Sequence, residues 1–155
     1  MDNLALINTS NVEDIKKCIN RGDYIDNRTT TPFIYHCSKG NIDIVKCLVE
    51  HGCNITLKDA VDYTGLMRAC MNGQDEVVKY LITLPGIDIN GLDLNTPLIC
   101  SVFAPNCNIL RILLNVGVDI NKENNCGKTA LDYAISLGNQ HAVELLTNHS
   151  LSLEP

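Results

Sequence analysis

Apolar residues recur along this chain at helical spacing in short bursts, and the bursts come in pairs. The clearest pair lies in 31–53, TPFIYHCSKGNIDIVKCLVEHGC. Thr31 before Pro32 predicts a helix start, because the hydroxyl can accept from a free backbone N–H while proline occupies the first turn without wasting a donor. Gly40-Asn41 interrupts the run. Ile42, Ile44, Val45, Cys47, Leu48 and Val49 then form one apolar stripe, with Asp43, Lys46 and Glu50 turned away, and Gly52 supplies a left-handed stop. Helices of about ten residues are marginal in isolation. Each pair therefore needs neighbours to bury its stripes.

The neighbours are copies of the same unit. Thr31, Thr64, Thr96 and Thr129 follow one another at intervals of 33, 32 and 33 residues, and Gly40 to Gly73 is again 33. The second copy opens on Thr64-Gly65, where glycine in place of proline predicts a weaker helix start, and Pro85 forbids the second helix from continuing. In the third, Pro105 takes the place of the mid-unit glycine. The first 27 residues read as a worn unit, with Leu4–Ile7 and Val12–Ile19 as its two helices, Arg21-Gly22 as its close and Asp2, Asn3 and Asn8 on a polar outer side. Leu151 and Leu153 are expected to cover the last layer. The expectation is a single domain over 1–155: a capping half-repeat at 1–27, repeats at 28–57, 58–90, 91–121 and 122–150, and a tail at 151–155.

A unit of this length with Thr-Pro-Leu-like openings at 31, 64, 96 and 129, and endings such as Gly86-Ile87-Asp88-Ile89-Asn90 and Gly117-Val118-Asp119-Ile120-Asn121, resembles the ankyrin repeat. The resemblance implies an all-α solenoid of stacked helix-turn-helix units with short β-hairpin fingers. It departs from the family where a histidine is usual: those positions hold Ile34, Met67, Ile99 and Asp132. From the helix-ending glycine to the next threonine the connectors measure 12 residues at Gly52–Thr64 and Gly117–Thr129, but 9 at Gly22–Thr31 and 10 at Gly86–Thr96. Long fingers are therefore expected at 59–63 and 124–128. The resemblance also implies that partners meet a concave face made of finger tips and first helices. By position that face carries Tyr35, Ser38 and Lys39; Val61, Tyr63, Arg68, Met71 and Asn72; Cys100, Phe103 and Ala104; and Lys128, Tyr133, Ser136 and Leu137. Tyr63, Arg68, Met71 and Phe103 stand out as interface residue types, although Met71 and Phe103 could equally cover the joint between short helices.

Composition narrows the chemistry. With 45% hydrophobic residues, no Trp and two Phe, a core of Leu, Ile, Val and Cys in thin layers is expected. The formal charge of −6 and the lack of a basic run argue against nucleic acid as a partner. No apolar run reaches the ~20 residues of a membrane span. Eight cysteines contain no CxxC pair, so no metal, cofactor or disulfide is expected. Cys37, Cys70, Cys47 and Cys18 read as small buried hydrophobes, and Cys126 as exposed. The four histidines fall at different places in their units, His36 packed within its helix and His51 at a helix C-terminus. Neither a nucleophile motif nor a paired-carboxylate signature is present, which points away from an enzyme. The resemblance to ankyrin repeats implies a monomeric protein–protein interaction module that occupies a partner's surface as an inhibitor or host-signalling modulator. The alternative is an adaptor that brings a client to a larger complex such as a ubiquitin ligase. A cytoplasmic location is expected, extending to the nucleus or a host cytosol; eighteen asparagines with abundant isoleucine hint at an AT-rich genome such as that of a large DNA virus.

Overall fold

The computed structural model describes residues 9, 11–20, 31–91 and 95–152, without the side chains of 18–20 and 150–152. Within them the chain forms helices α1 (Val12–Asn20), α2 (Pro32–Lys39), α3 (Ile42–Glu50), α4 (Gly65–Met71), α5 (Asp75–Leu81), α6 (Pro97–Val102), α7 (Asn108–Asn115), α8 (Ala130–Ser136) and α9 (Gln140–Ser152). The expected first helix at Leu4–Ile7, the closing Arg21-Gly22 and the covering roles of Leu151 and Leu153 lie outside what is described.

Each even-numbered helix from α2 begins as its threonine predicts. Thr31, Thr64, Thr96 and Thr129 are extended, and their hydroxyls accept from the N–H of Ile34, Met67, Ile99 and Asp132. The start at Gly65 is therefore as well capped as those at proline. Its glycine answers a packing need instead: a Cβ there would lie 2.6 Å from Phe33 Cε1 and 3.1 Å from Cys37 Sγ. The absent side chain lets α4 close down on α2.

The helices stack in two rows. First helices α2, α4, α6 and α8 pack in sequence, second helices α1, α3, α5, α7 and α9 form the other row, and each pair packs within itself. Phe33, Leu66, Leu98, Ile99, Leu48, Leu81, Ile109, Leu110 and Leu113 lie buried between the layers. The positions where the resemblance leads one to expect histidine are apolar and buried at Ile34, Met67 and Ile99. The fourth, Asp132, builds a capping box with Thr129.

The mid-unit turns stack as well. Gly40 and Gly73 adopt left-handed φ of 76° and 72°. Gln74 covers Gly40 and donates from Nε2 to the Ser38 carbonyl at 3.1 Å, while the Pro105 ring covers Gly73. Proline in the third unit thus supplies the flat surface its neighbour needs.

Candidate functional site

The two long connectors are built on one backbone device. Asp59 Oδ1 accepts from the N–H groups of Val61 and Tyr63, each at 3.0 Å, the Asp59 N–H donates to the Tyr63 carbonyl at 2.9 Å, and Asp62 takes a left-handed φ of 63°. Asn124 repeats this. Its Oδ1 accepts from Cys126 at 3.0 Å and Lys128 at 3.1 Å, its N–H donates to the Lys128 carbonyl at 3.0 Å, and Gly127 has a φ of 65°. The expected hairpins are thus tight turns. One isolated antiparallel bridge, Lys58 to Thr64, is all the β-pairing among the described residues, since so short a connector leaves no length for a ladder.

Each turn is fastened to its own first helix by the residue four places after the threonine. Arg68 Nε donates to Asp59 Oδ2 at 2.7 Å, its terminal nitrogen pairs with the same oxygen, and the guanidinium lies 4.6 Å from the Tyr63 ring centroid. The Tyr63 hydroxyl in turn accepts from Asn95 Nδ2 at 3.0 Å, reaching the next connector. In the fourth unit Asn124 Nδ2 donates to the Tyr133 hydroxyl at 2.9 Å, and the Tyr133 ring meets Phe103 at 5.6 Å between centroids.

These contacts divide the residues expected to form one central patch. Tyr63 and Arg68 are locked to the finger and Phe103 to Tyr133, while Met71 is half-buried against the core. Tyr35, Arg68 and Asn72, with Ile34, Ser38 and Asp59, line an open pocket between α2 and α4. Lys39 lies at the end of α2, its ammonium 5.6 Å from the Tyr35 ring centroid. Lys128 and Tyr133, with Asp132, Ile135 and Ser136, line a second pocket on α8. Val61 is 57% and Phe103 44% exposed, values that leave both as open apolar surface.

One expectation for this face is corrected. Cys100 is fully buried, not exposed, and burial pushes its thiol up to about 12. Its side chain is shorter than Arg68 and Tyr133 at the same offset in the flanking units, and it does not reach solvent. Cys37 and Cys70 are buried as expected, with thiols raised well above the ordinary value by burial, whereas Cys126 is exposed. His36 is buried, its Nδ1 2.9 Å from Asn41 Nδ2, and His51 Nδ1 lies 2.8 Å from the Cys47 carbonyl. Among the described residues no three His, Cys, Asp or Glu side chains converge as metal ligands, and no helix is long and apolar enough to cross a membrane.

Sequence reasoning passed over Asp59, Asn95, Asn124 and Ile135. The first and third carried a signal: each is an Asp or Asn five places before a unit's threonine. Such side chains readily accept from amides two and four residues on.

Comparison with known proteins agrees with this architecture. A family model of three ankyrin repeats matches residues 3–93 and again 66–154. The chain is 26% identical over 150 residues to potassium channel AKT2/3 of Arabidopsis thaliana, covering 94% of this chain and 18% of that one. It is 32% identical over 119 residues to an ankyrin repeat-containing protein of Treponema pallidum, covering 76% and 40%. Against ankyrin repeat and SOCS box protein 6 of Pongo abelii the identity is 33% over 112 residues, covering 69% and 26%. The chain spans less than half the length of each of these relatives.

Proposed function

We propose, from the premise that this chain belongs to the ankyrin repeat family, that it binds a protein partner across the face formed by the finger tips and the first helices. Ankyrin repeats are in general non-enzymatic protein–protein interaction modules. The observation that carries the choice of face is Phe103: an aromatic ring seated on Tyr133 yet 44% exposed, near the middle of the first-helix row. Aromatic side chains held rigidly and left partly open are the type that dominates interface energetics. Val61, raised on a finger that Asp59 and Arg68 brace, supplies a second apolar contact. The bound partner's surface is thereby masked.

The test is affinity capture from the cells in which the chain is made, with wild type and the double variant Tyr63→Ala, Phe103→Ala as bait. The expected result is a protein recovered by wild type and lost by a variant that melts near the wild-type temperature. Retention of that protein by the variant overturns the choice of face. A second reading, an adaptor that brings a client to a larger assembly, is favoured by the likeness to a protein named for joining ankyrin repeats to a SOCS box.

A further inference from the structure

Neighbouring connectors are tied together in one layer and left apart in the layer before it. In the later layer Asn90 Oδ1 accepts from the Asp119 N–H at 2.7 Å, so a side-chain amide joins the connector after α5 to the connector after α7. Counted from the helix-ending glycines, Thr56 stands where Asn90 does and Asp88 where Asp119 does. The Thr56 hydroxyl instead turns back within its own connector and donates to Asn54 Oδ1 at 2.8 Å. Among the described residues no protein group accepts from the Asp88 N–H. The donor that is bonded in one layer is therefore open in the other.

A cavity of about 240 Å³ occupies this open seam. Leu66 and Met67, both buried, and Ile55 and Ile87, half-buried against the core, supply its apolar wall, and Gly86 and Gly91 add backbone. Polar groups in the lining are few. The Thr64 hydroxyl accepts from the Met67 N–H, and Asp88 Oδ1 accepts from the N–H groups of Asn90 and Gly91. Among the described residues Asp88 Oδ2 receives no hydrogen bond, which leaves an acceptor on the residue whose N–H is open. Lys58 and Asp88 bring one charge of each sign to the lining, so a net charge on an occupant gains nothing.

We propose that this cavity binds a small uncharged molecule made of an apolar body and one carboxamide. Its carbonyl oxygen accepts from the Asp88 N–H, as Asn90 Oδ1 accepts from Asp119, and its N–H donates to Asp88 Oδ2. A dry apolar cavity of about 150 Å³ holds benzene, so by volume this one takes roughly nine or ten non-hydrogen atoms. An Asn or Gln side chain of a protein would offer too little hydrocarbon to cover the walls of Ile55, Leu66, Met67 and Ile87. The site does not depend on the protein partner proposed above.

The test titrates benzamide into the isotope-labelled wild-type chain and follows the backbone amide resonances. Saturable shifts at Met67, Ile87, Asp88 and Gly91 are expected, with a Kd on the order of a millimolar and with the Asp88 amide moving as a newly bonded N–H does. Toluene keeps the ring without the carboxamide and should bind about tenfold more weakly, for the loss of both hydrogen bonds. Thr56→Asn supplies within the chain the amide that Asn90 supplies in the next layer. That variant should give the Asp88 N–H the hydrogen-exchange protection of Asp119 and weaken benzamide by about tenfold. Absence of saturable shifts at these residues, equal affinity for toluene, or benzamide binding undiminished by Thr56→Asn overturns the proposal.

Discussion

The second and fourth units carry the same finger on different fastenings. Both use an Asp or Asn side chain to gather two amides and a left-handed residue to turn the chain, and both tie the turn to the residue four places after the threonine. In the second unit that tie is ionic, Asp59 to Arg68, with Tyr63 stacked on the guanidinium. In the fourth it is neutral, Asn124 to Tyr133, and the ring that receives it also packs on Phe103. The comparison teaches that Arg68 fastens its finger through charge where the fourth unit uses a neutral bond. Arg68 braces the finger while lining the open pocket between α2 and α4, and Val61, Phe103, Ile135 and Leu137 are among the exposed apolar side chains.

The largest effect should come from making the units alike where their helices start. Gly65→Ala reproduces Ala130 of the fourth unit but drives a methyl into the buried ring of Phe33. Overpacking of this kind costs about 1–3 kcal/mol, while the reverse change Ala130→Gly should cost at most about 1 kcal/mol. Urea denaturation of both variants checks the order.

Next come the fastenings. Asp59→Ala removes the acceptor of two amides and strands Arg68, whose side chain is 29% exposed. We expect about 2 kcal/mol, against about 1–1.5 kcal/mol for Asn124→Ala, which loses the same two amide bonds and a neutral one. The Val61 and Tyr63 amides should lose hydrogen-exchange protection in the first variant, and those of Cys126 and Lys128 in the second. Equal costs would show that the charge of the Asp59–Arg68 pair adds nothing.

Smaller still is the turn itself. Asp62 holds a left-handed backbone where the fourth unit has Gly127, so Asp62→Gly should raise stability by about 0.5–1 kcal/mol, seen as an upward shift of the melting temperature. The smallest difference concerns pH. Hydrogen bonds from Thr129 hold the Asp132 carboxyl below its ordinary 3.8, so its support for the start of α8 is fully present above that value and is lost as pH falls through the lower, folded one. The second unit has Met67 at that place and no such dependence. Amide shifts at Thr129 should titrate in acid, those at Thr64 should not, and Asp132→Asn should abolish the difference.

Much of the fold was legible because its determinants are local. A threonine before a helical stripe caps through its own hydroxyl whatever its neighbours do, and the four copies then declare their layers by repetition. The burial of Cys37 and Cys70 followed from their place on those stripes. Parts of the face were legible too, with Val61 and Phe103 open as their offsets suggested. Cys100 and Gly65 were misread for one reason: each was judged by its own unit, while its surroundings come from the units on either side.

By itself, then, the sequence determined the helix pairs, their caps, their number of copies and the two longer connectors, since all of these depend on residues within a few places of one another. Only the tertiary structure decided which polar groups remain free. Asp59 reaches Arg68 across nine residues, Gln74 reaches Ser38 across 36 and Asn95 reaches Tyr63 across 32. Contacts between layers consume acceptors and bury side chains according to their neighbours' size, and no single unit contains that information.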